Sequence, residues 1–277
     1  MHSYQHEREV VTEIIRAAGA LAQQGFGGPL EVEHKANDEG PVSNYDKACD
    51  ALIRQGLHKA FPDDALLTEE SDDDGLWQSA ARVWIVDPID GTQEYVTAVP
   101  QYAVMIGLCV EGEPVFGAVY APASDELFIG AEGEGAVLIQ RDQQRALSLK
   151  PGPTAQAWRI AVSRSHASPE LEKLCAALAP ARSVPLGSVG LKIASICKGQ
   201  TDLYLATTTR IKLWDTCGPQ AILQAAGGVM VDLFGQPLDY RSAINHPRGL
   251  LACAAQDLPQ LSAKIRPLAR ELYAEAQ

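Results

Sequence analysis

Three absences narrow the class of this chain before any motif is read. The six cysteines (Cys49, Cys109, Cys175, Cys197, Cys217 and Cys253) show no CxxC and no paired spacing. That excludes a zinc ribbon or a disulfide framework and leaves reduced, mostly buried thiols. There is also no apolar run of about 18 residues that could span a bilayer. The opening segment MHSYQHEREVVTEIIRAAGAL is polar and then amphipathic, unlike a secretory signal. Residence in the cytoplasm, with no membrane partner, is the default expectation. Finally, positive charge is scarce, with 23 Lys+Arg against 35 Asp+Glu and a formal charge of −12. A nucleic-acid polymer is thereby excluded as the main partner, because binding one needs a basic surface to displace counterions. A small anionic ligand is not excluded, since bound divalent cations reverse the local field. Internal repeats and low-complexity segments are missing as well.

What is present is globular, at 46% hydrophobic and 21% charged residues. A chain of 277 residues suits one large domain or two intimately packed ones, because single cores stop growing at roughly 250–300 residues. Val10, Val11, Ile14, Ile15, Ala18 and Leu21 recur at helical spacing and predict a first helix over residues 8–24, ended by Gly25, Gly27, Gly28 and Pro29. A short strand over Leu30–Lys35 leads through the loop Ala36–Pro41 to a second helix, from Tyr45 to Pro62. The middle of the chain carries strand signals at 83–86, 103–110, 115–120, 127–129 and 136–139, with the turn Glu111–Pro114 predicting a hairpin. After the polar stretch Gln140–Gln156, strand-like and helical segments alternate at 159–163, 169–178, 191–198, 203–206 and 218–226. The linker Lys150-Pro151-Gly152-Pro153 separates an N-terminal α+β half, 1–150, from a C-terminal α/β half, 151–277.

The segment Trp84-Ile85-Val86-Asp87-Pro88-Ile89-Asp90-Gly91-Thr92 brings a buried strand to a sharp acidic exit. Two carboxylates delivered this way can converge on hard cations, which take oxygen ligands. Gly91-Thr92 then opens a segment whose free backbone N–H groups favour a phosphate. Read alone, the same residues are equally a turn with an aspartate cap. Leu66-Leu67-Thr68-Glu69-Glu70-Ser71 reads as an acidic group after an apolar run, or as a solvated loop continued by Asp72–Asp74. In Trp214-Asp215-Thr216-Cys217-Gly218-Pro219, Asp215 suits a helix N-cap, a role compatible with metal ligation. His34 and His166 read as structural or surface residues, Trp84 and Trp214 as core anchors, and Lys35 as either a neighbour of the acidic site or an exposed charge.

Together, TEES, DPIDGT and WDTCGPQAI resemble, in order and at compatible spacing, the GEES or SEE, DPxDGT and WDxAAG motifs of the inositol monophosphatase superfamily. The resemblance runs from Lys35 to about Ala254. It implies a layered α-β-α-β-α sandwich of the inositol monophosphatase and fructose bisphosphatase type, and magnesium-dependent hydrolysis of a phosphate monoester. Carried over by position, Glu69, Asp87 and the Ile89 carbonyl would hold one Mg2+, and Asp87, Asp90 and Asp215 a second, in a set of two or three ions. Pro41-Val42-Ser43-Asn44-Tyr45-Asp46 is similar to the PVTxAD motif, which would make Asp46 the partner of Thr92 in orienting the attacking water. Gly91 and Thr92 N–H groups would hold phosphate oxygens. The chain departs from the pattern at Ser43, Thr68 and Cys217-Gly218-Pro219, and none of these departures removes a carboxylate.

Within the superfamily, DGTQEY resembles the DGTKEF of 3'(2'),5'-bisphosphate nucleotidases more than the DGTxNF of inositol monophosphatases. The residues VSRSH, GSVGLK and QAILQAAGG point the same way. Where the inositol enzymes commonly carry a sugar-binding glutamate, this chain has Thr208, followed by Arg210 and Lys212. The resemblance thus implies a bisphosphorylated nucleotide as substrate, with Ser163, Ser188, Lys192, Arg210 and Lys212 as its contacts. Solvent-facing charges explain Arg210 and Lys212 equally well. An inositol or other sugar monophosphatase is the alternative, and a non-catalytic regulatory protein on the same fold ranks below both. The resemblance also implies inhibition by lithium and is compatible with a homodimer.

Overall fold

The computed structural model describes residues 3–35, 40–71, 75–141, 143–152, 157–165, 168–179 and 181–274. His166, Asp72–Asp74, Pro153 and most of the loop expected over Ala36–Pro41 lie outside the described residues. The chain opens with helix α1 (Gln5–Gly25), a two-stranded ladder of β1 (Val32–His34) and β2 (Pro41–Ser43), and helix α2 (Asn44–Ala60). Strands β3 (Ala65–Thr68) and β4 (Arg82–Asp90) follow, then helix α3 (Thr92–Val96). The meander comprises β5 (Ala103–Val110), β6 (Glu113–Ala121), β7 (Glu126–Ala131), β8 (Gly135–Gln140) and β9 (Gln143–Leu147). These strands form one seven-stranded sheet in chain order, antiparallel except for the parallel pair β3–β4.

The remainder alternates. It comprises β10 (Arg159–Ser163), α4 (Pro169–Ala177), β11 (Arg182–Leu186), α5 (Val189–Cys197), β12 (Leu203–Ala206), β13 (Ile211–Lys212) and α6 (Leu213–Ala225). The last elements are β14 (Gly228–Val231), β15 (Asn245–His246), β16 (Leu250–Ala254) and α7 (Leu258–Ala274). A five-stranded sheet runs β11-β10-β12-β16-β14, and β13 pairs with β15 apart from it.

Packed apolar faces build the layers. Val11, Ile15, Ala18 and Ala22 of α1 and Cys49, Ile53 and Leu57 of α2 bury one face of the large sheet, against Trp84, Val86, Ile106 and Phe116. The opposite face, through Met105, Val119 and Phe128, meets α5 and α6, which also cover the second sheet through Ile193, Ile222, Tyr204 and Ala252. Leu171 and Leu174 of α4 and Leu261 and Ile265 of α7 close the outer side of that sheet. The result is the α-β-α-β-α sandwich that the motifs implied. Trp84 and Trp214 are buried core residues, and five of the six free cysteines are buried, with Cys175 half-buried.

The structure corrects three local expectations. The polar stretch after Gln140 contains strand β9, which reads as polar because it is an edge strand with its first four residues exposed. Helix α6 begins at Leu213 rather than Gly218, so Asp215 stands at its third position and accepts from the Lys212 N–H instead of serving as N-cap. Beyond Ala226, β14, β16 and α7 extend the fold; Pro267 inside α7 masks its helical pattern in the sequence.

Helix α6 sits unusually deep on the large sheet. Gly107, Gly117 and Gly130 are register partners across β5, β6 and β7 and form a side-chain-free row beneath it. A Cβ on Gly117 would stand 2.1 Å from the Gly218 carbonyl oxygen, and one on Gly107 would stand 2.5 Å from the Gly218 nitrogen. Backbone cannot yield as a flexible side chain does, so Gly117→Ala should destabilise the protein by about 2–3 kcal/mol through overpacking. Urea unfolding of the variant against the wild type measures this.

Candidate active site

The site is assembled where β3 and β4 end. Their parallel pairing sets Thr68 beside Val86, and Glu69 N–H donates to the Val86 carbonyl at 3.2 Å, so Glu69 emerges next to Asp87. In a regular strand Asp87 and Asp90 would point to opposite faces. Between Asp87↔Met105 and Asp90↔Ala103 the register of β4 on β5 shifts by one residue, a β-bulge at Pro88-Ile89. Pro88 has no N–H for the ladder, which makes a bulge its natural place. The extra residue resets the alternation and returns both aspartates to the side covered by α6. β4 therefore continues through Asp90, rather than closing at Asp87 as the run Val83–Val86 suggested. Gly91 follows with φ +92°, and a Cβ there would stand 2.9 Å from the Gln101 carbonyl oxygen. Both facts restrict the position to glycine.

Helix α6 supplies the third carboxylate from the other half of the chain. Oxygens of Asp87, Asp90 and Asp215 all lie within 4.8 Å of one another. Asp87 Oδ1 is buried and has no hydrogen-bond partner among the described residues. Asp90 Oδ2 accepts from Ser188 Oγ (2.5 Å) and Gly190 N–H (2.9 Å), and Asp215 Oδ2 accepts from Lys212 N–H (2.6 Å). Burial pushes all three carboxyls above the usual carboxylate range, and the neighbouring acids push Asp87 and Asp215 further. A buried, partnerless oxygen inside a set of hard oxygen donors is the arrangement a divalent cation neutralises.

Around this triad the structure brings together most of the residues singled out in the sequence. Asp46 Oδ2 accepts from the Ser43 N–H (2.9 Å) and hydroxyl (2.5 Å), a capping box at the start of α2, and its Oδ1 meets Thr92 Oγ1 at 3.0 Å. Burial raises the Asp46 carboxyl, with the Ser43 and Thr92 bonds opposing the shift. Thr92 Oγ1 also stands 3.0 Å from the Ile89 carbonyl. Of the two readings of Lys35, the structure realises the first: its ammonium bridges Glu69 (2.7 Å) and Glu70 (2.6 Å). Burial opposes that charge, yet the two carboxylates raise the Lys35 ammonium above its ordinary value. Glu70 is pushed up to about 7, chiefly by burial and then by Glu69.

The expected substrate contacts divide. Ser188 caps α5 and bonds Asp90, while Lys192 is buried with its ammonium on the Gly187 carbonyl and 5.4 Å from the Tyr204 ring. Ser163 ends β10 half-buried, Arg210 is exposed after β12, and Lys212 is half-buried with its ammonium 5.4 Å from the Trp214 ring. His34 is exposed.

Sequence reasoning missed a supporting network. Glu94 accepts from Ser165 Oγ, and Gln101 Oε1 accepts from both Arg164 Nε and Gly187 N–H at 2.9 Å, tying three loops together. It also missed Tyr240 and His246, which meet Thr216 Oγ1 at 2.9 Å. The acidic residue within DGTQEY was a usable signal for the first; nothing in the local sequence marks the second.

A phosphomonoesterase, a hydrolase, is the class to which this site of carboxylates from β3, β4 and α6 points together with the chain's relatives. The profile of the inositol monophosphatase family matches residues 3–268. The 3'(2'),5'-bisphosphate nucleotidase CysQ of Escherichia coli K12 is 34% identical over 235 residues, 83% of this chain and 92% of that one. The inositol-1-monophosphatase of Bacillus subtilis is 29% identical over 239 residues, 84% of this chain and 87% of its own. Among solved structures, the Thermotoga maritima IMPase superposes with a TM-score of 0.81 at 22% identity, covering 96% of this chain and 98% of that one. The chain belongs to the inositol monophosphatase family. No helix among the described residues is long and apolar enough to cross a membrane.

Burial holds the His246 imidazole down at about 4, below its ordinary value of 6.5. Its contribution to stability is present above pH 6.5 and is lost as the pH falls through 4. From this group alone the unfolding free energy should drop by at most about 3 kcal/mol over that range. Urea titrations of His246→Gln at both ends of the range should show a correspondingly smaller drop than the wild type.

Proposed function

We propose that the chain is a magnesium-dependent 3'(2'),5'-bisphosphate nucleotidase that removes the 3'-phosphate of 3'-phosphoadenosine 5'-phosphate. The observation that carries the hydrolytic part is the carboxylate triad with its partnerless Asp87 Oδ1. Glu69, Asp87 and the Ile89 carbonyl would hold one ion, and Asp87, Asp90 and Asp215 a second, in a set of two or three. When bound, Mg2+ supplies charge neutralisation at the phosphate and an activated water near neutral pH.

The chain's own groups then orient the reactants. Ser43 occupies Asp46 Oδ2 with two donors, leaving Oδ1 for Thr92. A hydroxyl that donates to Asp46 presents its lone pairs to an incoming water, fixing it and taking its proton while passing the hydroxyl's own proton to the Asp46 carboxylate. Gly91 and Thr92 N–H groups, at the start of α3, hold phosphate oxygens. No covalent intermediate is required, and no serine or cysteine is assigned as nucleophile.

The nucleotide as substrate is supported by the residues DGTQEY and by the 34% identity to CysQ. Ser163, Arg210 and Lys212 are the proposed contacts of the second phosphate. Ser188 and Lys192 act from within the fold, Ser188 through Asp90 and Lys192 through its buried charge. The second reading, an inositol-1-phosphate phosphatase, is favoured by the B. subtilis relative. The crystal structure of 2'AMP-bound SaIMPase-II, 25% identical with a TM-score of 0.77, has a counterpart of the same protein with inositol monophosphate bound. Both ligand classes thus fit this fold. The remaining reading, a regulatory protein, requires magnesium binding without hydrolysis of any ester.

Asp90→Asn should lower phosphate release at least about 100-fold while circular dichroism stays native; near-normal turnover would remove Asp90 from the ligand set. Phosphate release with Mg2+ is then compared for 3'-phosphoadenosine 5'-phosphate, inositol 1-phosphate and fructose 1,6-bisphosphate, with chelator blanks. The nucleotide should give the highest kcat/KM. A higher value for inositol 1-phosphate would establish the second reading and leave the metal site untouched.

A further inference from the structure

Asp215 arrives at the cluster on the first turn of α6, and a short segment after β14 grips that turn. Three kinds of contact hold it. β13 pairs with β15 through Ile211↔His246 and Lys212↔Asn245, and Leu213 N–H donates to the Ile244 carbonyl at 2.9 Å. Thr216, the fully buried residue next to Asp215, has its hydroxyl 3.2 Å from the Leu213 carbonyl. That same hydroxyl is 2.9 Å from both His246 Nε2 and the Tyr240 hydroxyl. One hydroxyl offers one proton and two lone pairs, so giving its proton to Leu213 leaves its lone pairs to His246 and Tyr240, the single Tyr240 proton being shared between Thr216 Oγ1 and Gln220 Oε1. One turn later, the Tyr240 hydroxyl also lies 2.9 Å from Gln220 Oε1. The Tyr240 and His246 rings pack edge to face, with centroids 5.5 Å apart.

We infer that Tyr240 and His246 are positioning residues for the metal-binding carboxylate of Asp215. This role rests on Asp215 being a magnesium ligand, as proposed above. The three aspartates repel one another at their observed spacing, and within the triad no direct contact opposes Asp215 drifting away. Among the described residues, the hydrogen bond that holds the Asp215 carboxylate comes from the Lys212 N–H, which moves with the same helix start. Magnesium tolerates little drift, because it demands near-octahedral oxygen geometry at about 2.0–2.1 Å. The bracket formed by residues 240–246 therefore sets the affinity for the ion while touching neither ion nor substrate.

The test is calorimetric titration of Mg2+ into substrate-free protein, alongside the Mg2+ dependence of phosphate release. Tyr240→Phe removes one hydroxyl and keeps the ring. It should bind Mg2+ about 5- to 10-fold more weakly, with kcat at saturating Mg2+ within about twofold of the wild type. Tyr273→Phe is the control: it deletes a hydroxyl bonded to the Thr207 carbonyl at 2.9 Å, on the outer layer. It should lose stability without losing Mg2+ affinity. If Tyr240→Phe does not fold, His246→Gln, which can still donate to Thr216, should retain affinity that His246→Ala loses. Unchanged affinity in Tyr240→Phe would overturn the inference, as would equal losses in both tyrosine variants. A wild type that binds no Mg2+ would instead overturn the metal assignment beneath it, a distinguishable result.

Discussion

Three carboxylates from two distant parts of the chain are held with oxygens within 4.8 Å of one another, and like charges at that spacing repel. At an effective dielectric near 20 the cost is about 3 kcal/mol for each ionised pair. The rest of the structure can be understood as what opposes that repulsion. The bulge at Pro88-Ile89 turns Asp90 back toward Asp87, the glycine row lowers α6 onto the sheet, and the pairing of β13 with β15 fixes where α6 begins. Two buried or half-buried lysines, Lys35 and Lys192, add the nearest positive charge, one bonded to Glu69 and Glu70 and the other beneath Asp90 and Asp215. A site so arranged is poised to take up divalent cations, because each ion relieves energy already stored in the fold.

The chemistry divides between regions that the fold keeps electrostatically distinct. Asp87, Asp90 and Asp215 stand deep among other acids, whereas Asp46 stands at the head of α2 with three hydrogen bonds to its two oxygens. Those bonds favour its ionised form and partly offset burial. One group of aspartates is thereby suited to cations and the other to receiving a proton through Thr92. The capping box that starts α2 thus joins local folding to the proton handling proposed for Asp46, through the pair Ser43 and Asp46.

Much of this was legible in the sequence, for physical reasons. Carboxylates placed directly after apolar runs, at Glu69, Asp87 and Asp215, announce an acidic cluster, although β4 runs on to Asp90 and Asp215 lies in the first turn of α6, and α1 and α2 announce themselves through their periodicity. The layered architecture came from resemblance of the motif trio, since periodicity alone does not assign layers. What stayed hidden was non-local or masked by composition. Gly107, Gly117 and Gly130 mean nothing until the strands are in register. Strand β9 is polar because it lies on an edge, and α7 contains prolines. Tyr240 and His246 meet a residue far upstream, and Lys192, expected as a substrate contact, is closed over by the fold. The substrate contacts were the least legible, because each rests on a single charged or hydroxyl residue with an ordinary alternative.

The parallel pairing of β3 with β4 has a consequence for how this architecture tolerates change. In an antiparallel hairpin the connection would set the register, and lengthening it would slide one carboxylate past the other. Here the two strands run the same way, and the return path between Glu69 and Arg82 lies outside the ladder that aligns Thr68 with Val86. Insertions or deletions in that return path can be accommodated without displacing Glu69 from Asp87. Variation in its length is thereby uncoupled from the placement of the acids.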